Sequence, residues 1–170
     1  HPWLLDGVAT YGWELMRAVP DLATIYVPIG LGSGICSTIQ ARDVLGLKTE
    51  IVGVVADNAA AYALSFEARK AVSTNSADTI ADGVACRVPV EDALEIIWRG
   101  AARVIRVSEA EIKAAMRAYF ADTHNVAEGA GATPLAAALK DPALKPGKVG
   151  LILSGGNVDS DVYADVLSGA

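Results

Sequence analysis

The residues of this chain best suited to chemistry are Ser154 and the stretch Gly30-Leu31-Gly32-Ser33-Gly34. Each follows an apolar run: Leu151-Ile152-Leu153 leads into Ser154-Gly155-Gly156-Asn157, and Val27-Pro28-Ile29 leads into the glycine stretch. In an open α/β sheet such strand tips lie at the carboxyl edge, where ligands bind. Glycines let the backbone turn through positive φ and come close to an anion, with successive N–H groups facing into a concavity. A helix that follows directly adds the positive end of its dipole, so a phosphate can be held without a cationic side chain. A serine hydroxyl at the second tip can exchange a hydrogen bond with an uncharged ring nitrogen, whereas a carboxylate there would favour a protonated ring. Two such tips predict one site. The competing readings are structural: a tight strand-to-helix turn for the glycines and a turn cap for Ser154. A dinucleotide fingerprint, G-x-G-x-x-G, fails at position 35, which is Ile, although Asp57 after the next strand would suit a ribose.

The elements that must position these tips can be read from periodicity. Helical spacing of Leu4, Leu5, Val8, Leu15 and Val19 ends at Pro20, and Thr24–Pro28 reads as a buried strand. A helix is expected over 37–45, a strand over 50–55 and a helix over 58–70; this order is the βαβ pattern of a parallel sheet. Residues 71–90 read as a surface loop, 90–100 as a helix and 103–107 as a strand. Ser108 and Glu111 form a capping-box pattern opening a helix to about Phe120, and an alanine-rich helix spans 127–139 before the last strand, which leads to Ser154. The expected fold class is therefore α/β, a mostly parallel sheet flanked by helices, in a single domain over residues 1–170.

Composition agrees with a packed core. The 170 residues are 52% hydrophobic and 20% charged, which excludes general disorder. A net charge of −6 argues against an extended nucleic-acid surface. No run reaches the roughly 18 apolar residues of a membrane helix, and no basic, apolar leader opens the chain, so a cytoplasmic protein is expected. Cys36 and Cys86 are expected as reduced, buried thiols. His124, although next but one to Asp122, has no nucleophile spaced to partner it; Trp3, Trp13 and Trp98 read as packing residues, and Arg99, Arg103 and Arg106 as a solvated edge.

The order VPIG loop, helix, GVV strand, ADGVA, VAEGAGA and LSGGNVD resembles the carboxyl-terminal half of the serine/threonine dehydratases and serine racemases, pyridoxal 5′-phosphate enzymes of fold type II, the tryptophan-synthase-β-like class. The resemblance runs from about Gly7 to Asp159, and the wording of the loops is most similar to dehydratase-like proteins of hydroxyectoine utilization. It implies part of a large domain in which Gly30, Leu31, Gly32, Ser33 and Gly34 bind the cofactor phosphate, Ser154 bonds the pyridine nitrogen, Gly83 lies near the ring and Glu128 lines the pocket. It also implies a homo-oligomer acting on a small hydroxy amino acid, with loss of water to give a 2-oxo acid and ammonia. Racemisation on the same fold stays open, as does a non-catalytic nucleotide- or phosphate-binding domain.

The chain departs from the family in three ways. Leu31 and Ser33 replace two of the family's four glycines, and Val55 and Ala61 stand where many relatives place an acidic cation ligand, so no metal is expected. The Schiff-base lysine of the family lies in its amino-terminal half. Ser65-Phe66-Glu67 imitates that lysine's motif but has Glu67 in its place, and the chain opens on His1-Pro2. The expectation is a fragment that lacks the amino-terminal half and its catalytic lysine, with no catalytic residue of its own and no activity alone.

Overall fold

Four strands, β1 (Leu22–Pro28), β2 (Glu50–Ala56), β3 (Arg103–Val107) and β4 (Lys148–Leu151), form one sheet in the order β3-β2-β1-β4, and every neighbouring pair is parallel. The computed structural model describes residues 2–169. The chain runs β1 to β2 to β3 outward on one side and returns to place β4 on the other side of β1. The topological switch point therefore lies between β1 and β4, at the carboxyl ends of both strands.

Helices cover both faces, and side-chain alternation along the strands feeds two cores. Leu22, Ile25 and Val27 of β1 and Ile51 and Val55 of β2 pack with α1 (Pro2–Ala18), α2 (Ser33–Val44), α3 (Ala61–Ala68) and α4 (Glu91–Gly100). Tyr26, Val52, Val54, Ala56 and Val107 face the other way, toward α5 (Glu109–Ala118), α6 (Gly129–Lys140) and α7 (Ser160–Ser168). Burial on both faces explains why β1 and β2 read as continuous apolar runs rather than alternating ones. The Ser108–Glu111 capping box forms as expected: Ser108 Oγ accepts from the Glu111 amide and Glu111 accepts from the Ser108 amide. Cys36 and Cys86 are buried and unbridged, and burial pushes the Cys36 thiol up to about 12, which leaves it unreactive. Among the described residues no helix is long and apolar enough to cross a membrane.

Several expectations need correction. The second helix begins at Ser33, not Ser37, because Gly32 turns the chain at φ 98 and lets its carbonyl take the first helical hydrogen bond, from the Cys36 amide. The helix expected over 58–70 is a 3-10 turn, Asp57–Ala59, followed by the shorter α3, which Arg69 ends in left-handed conformation. The last strand ends at Leu151, and α7 lies beyond anything the periodicity indicated. Trp13 and Trp98 pack against the core as expected, but Trp3 is 80% exposed.

Arg103 is not on a solvated edge. At the amino end of the sheet, opposite the two glycine-bearing tips, its guanidinium reaches Asp141 at 2.6 Å and Glu50 at 2.9 Å, while the Tyr26 hydroxyl donates to the same Asp141 oxygen at 2.7 Å. Burial pushes the Asp141 carboxyl up, but the Arg103 and Tyr26 hydrogen bonds outweigh it and hold it below the usual carboxylate range. Lys145 and Arg103 lower Glu50 in the same way. Groups that titrate lower when folded confer stability above their unfolded pKa, about 4, and lose it as pH falls through the depressed folded value. The melting temperature is therefore expected to hold from pH 7 to about pH 5 and to fall steeply below about pH 4. Thermal melts followed by circular dichroism check this, and Asp141→Asn should flatten the acid limb.

Candidate functional site

The chain folds so that its two glycine-bearing tips face each other. Tyr26 pairs with Leu151 in register, and the Ile152 amide extends the ladder to the Tyr26 carbonyl. Residues 30–34 and 152–154 thus leave neighbouring strands at the same edge of the sheet. A cleft of about 700 Å³ opens between them, and Gly30, Leu31, Gly32, Ser33, Gly34, Gly83, Glu128 and Ser154 all line it. The residues that the resemblance assigns to the cofactor are all brought to this one cavity. Val8, Tyr11 and Leu15 of α1 and Leu151, Ile152 and Leu153 supply an apolar wall.

The polar end is the start of α2. No side chain caps it, and its first internal bond is Cys36 N–H to the Gly32 carbonyl. The amides of Ser33, Gly34 and Ile35 are consequently the open donors of a helix N-terminus, where dipole and N–H groups together favour an anion. Gly32 is required here. Its φ of 98 is left-handed, and an added Cβ would lie 2.8 Å from Ala93 Cβ. Gly30 is held by space rather than by φ, since a Cβ there would run into the Gly83 carbonyl oxygen. Gly83, in the 3-10 turn Asp82–Val84, would in turn bring a Cβ to 2.9 Å from Ala130 Cβ.

Two tyrosines that the sequence reading passed over hold this end in place. Tyr11 donates to the Gly34 carbonyl at 2.9 Å and shares a 3.0 Å hydrogen bond with Thr38 Oγ1. Tyr62, 1% exposed, donates to the Leu31 carbonyl at 2.7 Å and accepts from the Val90 amide at 3.1 Å. Burial pushes the Tyr62 phenol up to about 12, so it stays protonated. A tyrosine placed in an otherwise apolar segment was the available signal, because a buried phenol needs a hydrogen-bond partner.

The second tip is fixed by Glu128. Its amide donates to the Gly155 carbonyl at 3.1 Å, and its carboxylate accepts from the Asn157 amide at 3.1 Å. Gly131 permits the contact, since a Cβ there would stand 2.6 Å from the Gly155 oxygen. The Ser154 side chain is exposed to the cleft.

Among the described residues the lining carries two titratable side chains, Tyr11 and Glu128, and no lysine, arginine or histidine. Asp57, the residue a nucleotide site would use, instead pairs with Arg106 at 3.0 Å away from the cleft, and His124 sits exposed at a left-handed helix end. Glu67 is exposed on α3. Among the described residues no group of three or more His, Cys, Asp or Glu is placed to hold a metal ion, and Val55 and Ala61 are fully buried. Amides at one end, a hydroxyl at the other and an apolar wall between them fit a flat, phosphorylated heterocycle.

Comparison with known proteins agrees with that chemistry. The family model described as "Pyridoxal-phosphate dependent enzyme" matches residues 1–155. The chain is 29% identical to the L-threonine ammonia-lyase of Thermotoga maritima over 98% of its own length and 42% of that protein's. It superposes on a threonine deaminase from T.th. with a TM-score of 0.88 at 30% identity, covering 94% of this chain and 60% of that one. On maize serine racemase the TM-score is 0.88 at 29% identity, covering 97% and 52%. The chain spans about half the length of the curated relatives it matches.

Proposed function

The chain belongs to the pyridoxal-phosphate dependent enzyme family, and from that premise we propose that it supplies the cofactor-binding half of an ammonia-lyase that removes water from a hydroxy amino acid such as threonine or serine. The observation that carries the reading is the single cleft in which residues 30–34, Gly83, Glu128 and Ser154 meet. When bound, pyridoxal phosphate would supply an electron-withdrawing ring that eases loss of a proton from the substrate's α-carbon.

The amides of Gly32 to Ile35 would hold the phosphate, with Leu31 and Gly30 shaping the loop behind them. Ser154 Oγ would hydrogen-bond the ring nitrogen and leave it without a permanent charge. Gly83 would leave room for the ring. Glu128 would keep Ser154 in place through its two bonds to the 155–157 backbone. Val8, Leu15 and Leu151 to Leu153 would keep water from the apolar side. Among the described residues no lysine lines the cleft; the amine that carries the cofactor would come from a second segment, consistent with a chain that spans about half the length of its relatives. The chain is then one α/β domain without catalytic activity alone, within a cytoplasmic, oligomeric enzyme of amino-acid metabolism.

A thermal-shift series tests the binding half of this reading. At about 100 times its dissociation constant a ligand adds about 2.7 kcal/mol, or roughly 5–10 °C for a chain of this size. Pyridoxal 5′-phosphate is expected to give that rise and NAD none; the reverse would replace the reading with a nucleotide-binding domain. On the intact enzyme, ammonia and 2-oxo acid should appear from L-threonine or L-serine. Inverted amino acid without ammonia would select the racemase, as the likeness to maize serine racemase allows.

A further inference from the structure

We propose that Tyr62 is a positioning residue for the anion-binding loop, its buried hydroxyl fixing the Leu31–Gly32 peptide so that the Gly32 amide faces the cleft. The inference rests on the cofactor-binding reading above and names a residue outside the loop that makes the loop competent.

The geometry begins with the peptide bond. No cis peptide bond occurs among the described residues, and in a planar trans peptide the C=O and N–H point in opposite directions. The Leu31 carbonyl is drawn inward, 2.7 Å from the Tyr62 hydroxyl on α3. The N–H of the same peptide, on Gly32, is therefore turned away from Tyr62, and Gly32 lines the cleft. On its far side Gly32 uses its own carbonyl to start α2. The Leu31–Gly32 peptide is thus the last unit that must be aimed before the helix takes over.

Little else in the loop can aim it. Leu31 is 68% exposed and adds no buried side chain to hold the turn, and Gly32, at φ 98, brings no side chain at all. Free rotation of that peptide would swing a carbonyl oxygen toward a bound anion in place of an N–H donor. Tyr62 blocks this from below, and because its hydroxyl also accepts from the Val90 amide, its own donor is directed at Leu31. A tyrosine serving only to join α3, α4 and the loop would matter for stability but not for which ligand the cleft prefers.

The test compares ligands that differ only in the phosphate. Tyr62→Phe keeps the ring and removes the hydroxyl. In calorimetric titrations its affinity for pyridoxal 5′-phosphate and for inorganic phosphate is expected to fall about tenfold, while its affinity for unphosphorylated pyridoxal stays at the wild-type value. An unchanged phosphate affinity, or an equal loss for pyridoxal and its phosphate, would overturn the proposal. A second measurement needs no variant. In ¹⁵N-labelled wild-type protein, inorganic phosphate should shift the Gly32 amide together with those of Ser33 to Ile35; shifts at 33–35 with Gly32 unmoved would overturn it. If the wild-type chain binds neither phosphate nor pyridoxal 5′-phosphate, the cofactor reading itself falls.

Discussion

Gly32→Val is expected to abolish useful binding of pyridoxal 5′-phosphate, with a loss of affinity of about 100-fold or more. Two features of Gly32, and the loss of amide alignment that follows from them, lead to this size. Its φ of 98 is one that a β-branched residue adopts only with strain, at a cost of about 1–3 kcal/mol. A Cβ there would lie 2.8 Å from Ala93 Cβ and 3.2 Å from the Tyr62 hydroxyl, so the loop must lift off α4 and Tyr62 to make room. Lifting it takes the amides of residues 32–35 out of register with one anion, and a hydrogen bond to a charged group contributes about 1.5–3 kcal/mol. Losing two of them suffices for the stated effect. Titration calorimetry against pyridoxal 5′-phosphate measures it directly. A Gly32→Val protein that folds and binds within a few-fold of wild type would mean the phosphate is held elsewhere.

The second large effect lies at the other end of the sheet. Arg103→Leu should cost about 3 kcal/mol, because it leaves Asp141, whose side chain is only 2% exposed, without its cation. For a chain of this size that lowers the melting temperature by roughly 10 °C. The Tyr26 hydroxyl and the Ala143 amide still bond to Asp141, which keeps the loss from being larger. Arg103→Leu combined with Asp141→Asn should recover part of the loss, since the uncompensated charge is then gone. Binding of pyridoxal 5′-phosphate per folded molecule should stay unchanged, because the ion cluster sits at the amino ends of the strands and the cleft at their carboxyl ends. Differential scanning calorimetry with and without ligand separates the two quantities. A loss below about 1 kcal/mol would show that the cluster behaves like an exposed pair.

The sequence was legible where local pattern and site coincide. Strand tips ending in glycine and serine, and the Ser108–Glu111 box, are decided within a few residues, and the structure places them where the pattern indicates. α2 starts four residues before the position that local propensity indicates: Ser33 and Gly34 are poor helix formers, but the left-handed turn at Gly32 and the packing of Ile35 and Ile39 override that preference. The role of Tyr62 has no local signature, and the reading of Arg103 as a solvated edge fails for the same reason. Their partners lie 31 and 38 residues away, at Leu31 and Asp141, and only the assembled sheet brings them together. Charge spacing around Arg99, Arg103 and Arg106 suggested a solvated edge; nothing in it reveals that the loop after α6 returns an aspartate to the base of β3. The glycine stretch of the candidate site is legible because it is one continuous loop, whereas the groups that hold it and the second tip come from α1, α3 and the residue that precedes α6.

A crystal structure of this chain grown with pyridoxal 5′-phosphate would show directly whether the cofactor lies between the two tips. The phosphate is expected on the amides of residues 32–35, with the pyridine nitrogen within hydrogen-bond distance of Ser154 Oγ and the ring beside Gly83. A phosphate bound away from the start of α2, or a ring nitrogen turned away from Ser154, would contradict this placement.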